Sequence, residues 1–358
     1  MPLDHPDAKW VLGVAEALDT WLDSPSPLTT SQIKGSGAIE IAEAKLSARF
    51  DGRPVQLMPS ATYALWVALR VLGVGPGDEV LIPRCDWTSS YAAVTALGAI
   101  PVIVPVDART MTIDPAEAAA RRTARTRAVI ATHLFGIPAD VPEIQKVLPR
   151  IPVIEDCAQA FGSTLDGHPV GTLGALAVFS FAAGKRIDVG ELGALVLRDR
   201  DLARQALALS AHPIRQQLAG FAALDPTGLS IRPHPLAAIL LSVALDRDNA
   251  MAVVAARREL AARVLLASDV LPLGLDSRRG VASPIIPCDP DDDVHEALLP
   301  AGVGCSHSSV LDIESIASGW PTSLRVPVLS AVSRLTLVGG QTARRLRSGN
   351  TVRTLERR

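Results

Sequence analysis

The sequence predicts an α/β fold, with a mostly parallel sheet covered by helices on both faces and a smaller domain after it. Three observations carry that expectation. Short apolar runs rich in Val and Ile alternate with helical segments between about residues 61 and 198, the pattern of linked strand–helix units. The chain has 358 residues, room for one large domain and one smaller one. The alternation then stops, and beyond about residue 235 the composition changes character.

Residues 8–23 place Trp10, Val11, Val14, Leu18 and Leu22 on roughly one helical face. Residues 24–36, rich in Pro, Ser, Thr and Gly, read as a loop. Helices are expected over 38–50 and 61–72, the second closed by Gly73. The turn cluster Val74-Gly75-Pro76-Gly77-Asp78 leads into a strand at 79–82, then a helix at 89–97 and a strand at 101–105. Asp114-Pro115-Ala116-Glu117 marks a helix start. Asp caps free N–H groups, Pro suits the first position, and Glu follows three after the cap. A strand at 129–133, a helix at 140–148 and strands at 151–155, 175–181 and 193–198 follow. A long helix is expected over 236–268, then a Pro/Gly/Asp-rich stretch at 271–293 and a mixed tail. The division is a large domain over 1–235 and a small one over 236–358.

With 35 basic and 37 acidic side chains and a formal net charge of −2, no general attraction to nucleic acid or an anionic membrane is expected. The basic end, with Arg344, Arg345, Arg347, Arg353, Arg357 and Arg358, reads as a solvated helix end. Cys85, Cys157, Cys288 and Cys305 form no CxxC and no zinc spacing. They fit free thiols in a reducing cytoplasm, and no metal is expected. The N-terminus lacks a basic n-region, and no apolar run is long and charge-free enough to span a membrane. No GxGxxG follows a strand and there is no GxxxxGK[ST], which argues against dinucleotide and P-loop chemistry.

The chemistry gathers at two places. Val153-Ile154-Glu155-Asp156-Cys157-Ala158-Gln159 ends a buried strand in an acid, and about thirty residues on Phe179-Ser180-Phe181-Ala182-Ala183-Gly184-Lys185 ends in a lysine. Pyridoxal 5′-phosphate (PLP) needs both. A lysine forms a Schiff base with its aldehyde, and an acid keeps a proton on its pyridine nitrogen. The small residues before Lys185 allow a cofactor to approach. Burial and the neighbouring Arg186 favour the neutral amine that attack requires. Asp156 also reads as a helix cap or a core acid satisfied by backbone. Gln159 suits the ring's 3-oxygen, or a helix surface. Pro59-Ser60-Ala61-Thr62 opens a helix whose free N–H groups and dipole favour phosphate. Ser180 offers a further hydroxyl. Trp87 can stack on the ring or pack in a core. His133 reads more readily as a satisfied strand-end residue than as a base.

These residues resemble the DegT-type aminotransferases. The resemblance runs from about Gly35 to Arg232. It rests on Gly35-Ser36-Gly37, Ser60-Ala61-Thr62, Gly75-Pro76-Gly77-Asp78-Glu79-Val80, His133-Leu134-Phe135-Gly136, Glu155-Asp156-Cys157-Ala158-Gln159 and Ser180-Phe181-x-x-x-Lys185, in that order. It implies fold type I, a mostly parallel seven-stranded sheet between helices with a smaller C-terminal α+β domain. By resemblance, Lys185 and Asp156 are catalytic, and Ala61, Thr62, Trp87, Gln159, Ser180 and Arg232 join them in holding PLP. The resemblance also implies a homodimer with shared active sites, Arg232 reaching the neighbouring subunit. It implies a keto-sugar or cyclitol ketone as substrate and an amino acid, Glu or Gln, as donor. Four departures stand out. The usual Ser-Gly-Thr is Ser60-Ala61-Thr62, and the usual Gly-Glu-Gly-Gly is Gly190-Glu191-Leu192-Gly193. Ser230-Ile231-Arg232 lacks the usual Asn, and a His-Tyr-x-Pro-like segment is replaced by Gly304-Cys305-Ser306-His307-Ser308-Ser309. Two other functions remain open: a different PLP reaction, which Lys185 disfavours where dehydration is concerned, and a PLP-binding protein without catalysis.

Overall fold

The computed structural model describes residues 13–19, 33–223, 228–267, 274, 276–282, 286–287, 303–312 and 322–331. Of the expected first helix, 13–19 is helical and the rest lies outside the described residues, as do most of 24–36, most of 271–293 and the basic end.

The described elements, in order, are α1 (Ala38–Arg49), β1 (Val55–Met58), α2 (Ala61–Val71), β2 (Glu79–Pro83), β3 (Cys85–Asp86), α3 (Thr88–Thr95), β4 (Ile100–Val104), α4 (Pro115–Arg121), β5 (Thr126–Thr132), α5 (Val141–Val147) and β6 (Val153–Asp156). There follow β7 (Thr164–Leu165), β8 (His168–Pro169), β9 (Leu176–Ser180), β10 (Gly193–Leu197), α6 (Arg200–Ser210), α7 (Pro213–Leu218), α8 (Pro235–Arg247), α9 (Ala250–Ala267), β11 (Arg279–Gly280), β12 (Ile286–Pro287), β13 (Val303–Asp312) and β14 (Thr322–Ala331).

The seven-stranded sheet has the order β1-β10-β9-β6-β5-β2-β4. β4, β2, β5, β6 and β9 are mutually parallel. β10 is antiparallel to both β9 and β1, so β1 again points with the majority. The expected mostly parallel sheet is present. Its inner strands β2, β6, β9 and β10 are buried on both faces, as strands under two helical layers must be, while the edge strand β4 is only partly covered. Ala177 and Phe179 of β9 pack with α1 and α8, while Leu176 and Val178 pack with α2 and α6. Leu81, Val129, Ala131 and Val153 extend the core under α4 and α5. Phe50, Phe161, Phe179 and Phe181 form a chain of ring contacts in the first layer. Fully burying one such ring contributes up to about 3 kcal/mol.

The predicted cap of α4 is present: Asp114 Oδ1 accepts the Ala116 and Glu117 N–H groups at 2.8 and 3.2 Å. The single helix expected over 236–268 is instead two, broken at Asp248 and Asn249. Asp248 is held by Arg49 (3.0 Å) and Arg186 (2.5 Å), and Asn249 accepts the Ala252 N–H at 3.0 Å to start α9. The Asn249 bond caps a free N–H of α9, and the Asp248 ion pairs hold the break in place. α8 shares the core of the sheet through Ala237, Ala238, Ile239, Leu241 and Leu245. A second sheet, β12-β14-β13-β3, attaches the β13–β14 pair to the segment just after β2.

Candidate active site

Chain order reverses at β2, with β4 on one side and β5 on the other. In α/β sheets the crevice beyond the strand ends at such a reversal is where ligands bind. β2, β5, β6 and β9 all end at this edge. Because β1 points the same way and β10 the opposite way, α2 starts there and so does β10.

Asp156 is the last residue of β6 and 5% exposed. Its Oδ1 accepts the Ala158 N–H at 2.9 Å. Burial raises its pKa above the usual carboxylate value, opposed by that N–H, by Lys185 and by His133. Lys185 lies in the turn after β9, half-buried. Burial lowers its pKa, favouring the neutral amine, while the Asp156 charge works against this. Arg186 takes no part, contrary to expectation. Its guanidinium is turned to Asp248 (2.5 Å) and the Phe161 carbonyl (3.1 Å), so its charge is compensated elsewhere.

Gln159 Oε1 accepts the N–H of Phe135 at 2.9 Å. Phe135 sits in the left-handed region at φ 54°, a conformation that costs a bulky side chain about 1 kcal/mol or more. The bond fixes the Gln159 amide and leaves its N–H groups to donate. Trp87 caps α3 and is 59% exposed, so its ring is not a core element in one subunit.

At the start of α2, Ser60 Oγ accepts the Tyr63 N–H at 3.4 Å, and Thr62 Oγ1 lies 2.9 Å from Ser89 Oγ. Met58, Gly193 and Ser180 stand in register across β1, β10 and β9. A Cβ on Gly193 would lie 2.3 Å from the Ser60 carbonyl carbon, so this glycine lets β10 reach the start of α2. That accounts for Gly193 in the altered Gly190-Glu191-Leu192-Gly193 run. Leu192 instead enters the core. Ala61, Thr62 and Ser180 therefore share one end of the edge, and Asp156 and Lys185 the next part of it. Arg232 is exposed, on a segment tied to the end of α6 by Leu229 N–H to Leu209 O (2.8 Å) and Ile231 N–H to Ser210 O (2.7 Å).

His133 is fully buried. Its Nδ1 accepts the Ala139 N–H at 2.9 Å, so Nε2 carries the proton and donates to Glu155 at 3.0 Å. Glu155 also accepts the N–H groups of Gly171, Leu173 and Gly174. His133, Glu155 and Cys157 are close enough to ligate an ion, but the ring nitrogens and the carboxylate are already committed, and burial pushes the Cys157 thiol well up. This cluster is core. Two features escaped the sequence reading: Glu155 as the organiser of the loop over 171–174, and Asp86, a buried acid beside Asp156. The signal for Asp86 was an acid between an apolar strand and Trp87, which also reads as a simple helix cap. The segment Gly304–Ser309 lies on β13, and its side chains are outside the described residues.

Residues 42–267 match the DegT/DnrJ/EryC1/StrS aminotransferase family. The chain belongs to this family. It is 36% identical over 203 residues to the L-glutamine:2-deoxy-scyllo-inosose aminotransferase of Streptomyces lividus, covering 56% of this chain and 48% of that one. It is 34% identical over 251 residues to the 3-amino-5-hydroxybenzoate synthase of Amycolatopsis mediterranei, covering 68% and 64%. The crystal structure of a 3-amino-5-hydroxybenzoic acid synthase superposes with a TM-score of 0.69 at 28% identity, covering 85% of this chain and 80% of that one. The chain spans about half the length of the first of these curated relatives. Aminotransferases of this family use PLP, and the donor set fits that group: a half-buried amine, a buried acid, an oriented amide, an open indole and a helix start.

Proposed function

We propose that this chain is a PLP-dependent aminotransferase. It moves an amino group from Glu or Gln to the ketone of a cyclitol or nucleotide-linked keto-sugar. The observation that carries this reading is the meeting of Lys185 and Asp156 at one sheet edge, where each feels the other's charge and burial favours a neutral lysine. When bound, the cofactor supplies an electron sink for the carbon being deprotonated. Lys185 Nζ would hold the cofactor covalently and would move the proton at the carbon being deprotonated. Asp156 holds the proton at the ring nitrogen. Gln159 donates to the ring oxygen and Trp87 covers the ring face. The first N–H groups of α2, with Thr62 and Ser180, hold the phosphate. The cyclitol class is supported by the relative in Streptomyces lividus.

L-glutamine or L-glutamate added to the PLP-loaded protein should convert its absorbance to that of the pyridoxamine form, and a keto-cyclitol should then be aminated. A loaded protein whose spectrum no amino donor changes would instead support a binding role without catalysis.

We infer a homodimer with shared sites, because Arg232 is exposed on a tethered segment and Trp87 is open. A guanidinium delivered from a partner subunit suits a phosphate. Mixing Lys185→Ala with Arg232→Ala protomers should restore one active site, and a confirmed mixed dimer with none would reject this. We propose a large part over 1–235 and a smaller part over 236–358, with α8 at the join contributing to the sheet's core. No described helix is long and apolar enough to cross a membrane. A cytoplasmic location is part of the proposal, supported by Cys85 and Cys157, which are buried and joined in no disulfide.

A further inference from the structure

Asp86 is the last residue of β3 and only 2% exposed. Its Oδ1 accepts the Trp87 N–H at 2.7 Å. Its Oδ2 accepts the hydroxyls of Ser90 and, at 2.8 Å, of Thr132. Thr132 ends β5 and pairs in register with Asp156 at the end of β6. Two buried carboxylates thus flank the end of one strand. Among the described residues no cation forms an ion pair with Asp86. Around Asp156 stand the Lys185 amine, the His133 ring and the Cys157 thiol. Glu155, next on β6, is committed to His133 and the loop over 171–174. With so little counter-charge, ionising both carboxylates is costly.

We propose that Asp86 is a positioning residue of the cofactor site, sharing a single proton with Asp156 at neutral pH, so that a carboxylate pair rather than Asp156 alone meets the cofactor's ring nitrogen. The proposal rests on the cofactor reading above. Burial first, and the Asp156 charge second, push Asp86 up to about 7, against the bonds from Ser90, Thr132 and Trp87. Such a proton belongs to the pair. When a ring nitrogen docks at Asp156, the shared proton passes to it if it arrives bare, or leaves to solvent if it arrives protonated. In both cases two carboxylates end ionised around one cation.

Infrared difference spectra of the full chain, with and without PLP, test this. The protein without PLP should show the C=O stretch of one buried protonated carboxyl, fading with a midpoint near pH 7. Asp86→Asn and Asp156→Asn should each lose that band at pH 7, and PLP should abolish it in the wild type. A second readout is stability against pH. A carboxyl raised from 3.8 to about 7 stabilises the fold fully below pH 3.8 and ceases to do so as pH rises through 7. Asp86→Asn should therefore flatten the decline in stability across that window. If the variants do not fold, the wild-type band and its PLP response decide alone. A wild type without the band between pH 5 and 7, a band unchanged in folded Asp156→Asn, or a band that survives PLP loading would each overturn the proposal. Failure to bind PLP with the band pattern intact would remove the cofactor reading and leave the shared proton supported.

Discussion

Glu155 and Asp156 are adjacent acids on β6, both buried, and they face different surroundings. On the Glu155 side, one carboxylate collects His133 Nε2 at 3.0 Å and three backbone N–H groups at 2.6–2.8 Å. On the Asp156 side, the carboxylate has one backbone N–H, a half-buried amine, and a second carboxylate across the end of β5. A strand turns successive side chains to opposite faces, so a single step in sequence separates the two regions. A fully bonded carboxylate stabilises its own loop. An under-bonded one holds electrostatic interaction in reserve for a ligand.

The difference can be broken from either side. Asp156→Asn keeps the shape and removes the charge. In PLP-loaded protein mixed with L-glutamine, stopped-flow absorbance should show the half-reaction slowed about 10³-fold, the scale of a lost electrostatic contact at a reacting centre. Near-normal rates in a folded variant would erase the distinction. Glu155→Gln should act on the fold instead, lowering stability to urea by about 3 kcal/mol because buried donors lose a charged acceptor. The residual folded protein should keep the wild-type cofactor absorbance maximum; a shifted maximum with unchanged stability would reverse the roles. The smallest effect sharpens the phosphate end. Gly193→Ala forces a Cβ to 2.3 Å from the Ser60 carbonyl carbon, an overpacking worth about 1–2 kcal/mol. PLP affinity should fall by roughly tenfold, and the affinity for phosphate-free pyridoxal much less.

Local signals made much of this legible. Asp114-Pro115-Ala116-Glu117 capped its helix as read, and the strand–helix alternation yielded the parallel sheet. Lys185 and Asp156 could be paired from sequence because Asp156 ends one buried strand and Lys185 follows the end of another by five residues, and strand ends of a parallel sheet share an edge. What stayed hidden depends on distant partners. Asp86 looks like a helix cap until Thr132, 46 residues later, closes on it. β3 is two residues long and exists through pairing with β13. β1, Val-Gln-Leu-Met between prolines, shows no alternation and is defined by β10. The Asp248–Asn249 break had a local signal, but the apolar pattern on both sides masked it. Arg186 looked like a neighbour of Lys185, yet its partner Asp248 lies 62 residues on, in the break between α8 and α9.

If Lys185 and Asp156 meet at the sheet edge to carry PLP, covalent trapping should find the cofactor on Lys185. The PLP-loaded full-length chain would be reduced with borohydride, digested, and its peptides mapped by mass. The pyridoxyl mass should fall on Lys185, with no label in Lys185→Ala. Label on Lys34, Lys45 or Lys146 in its place would contradict it.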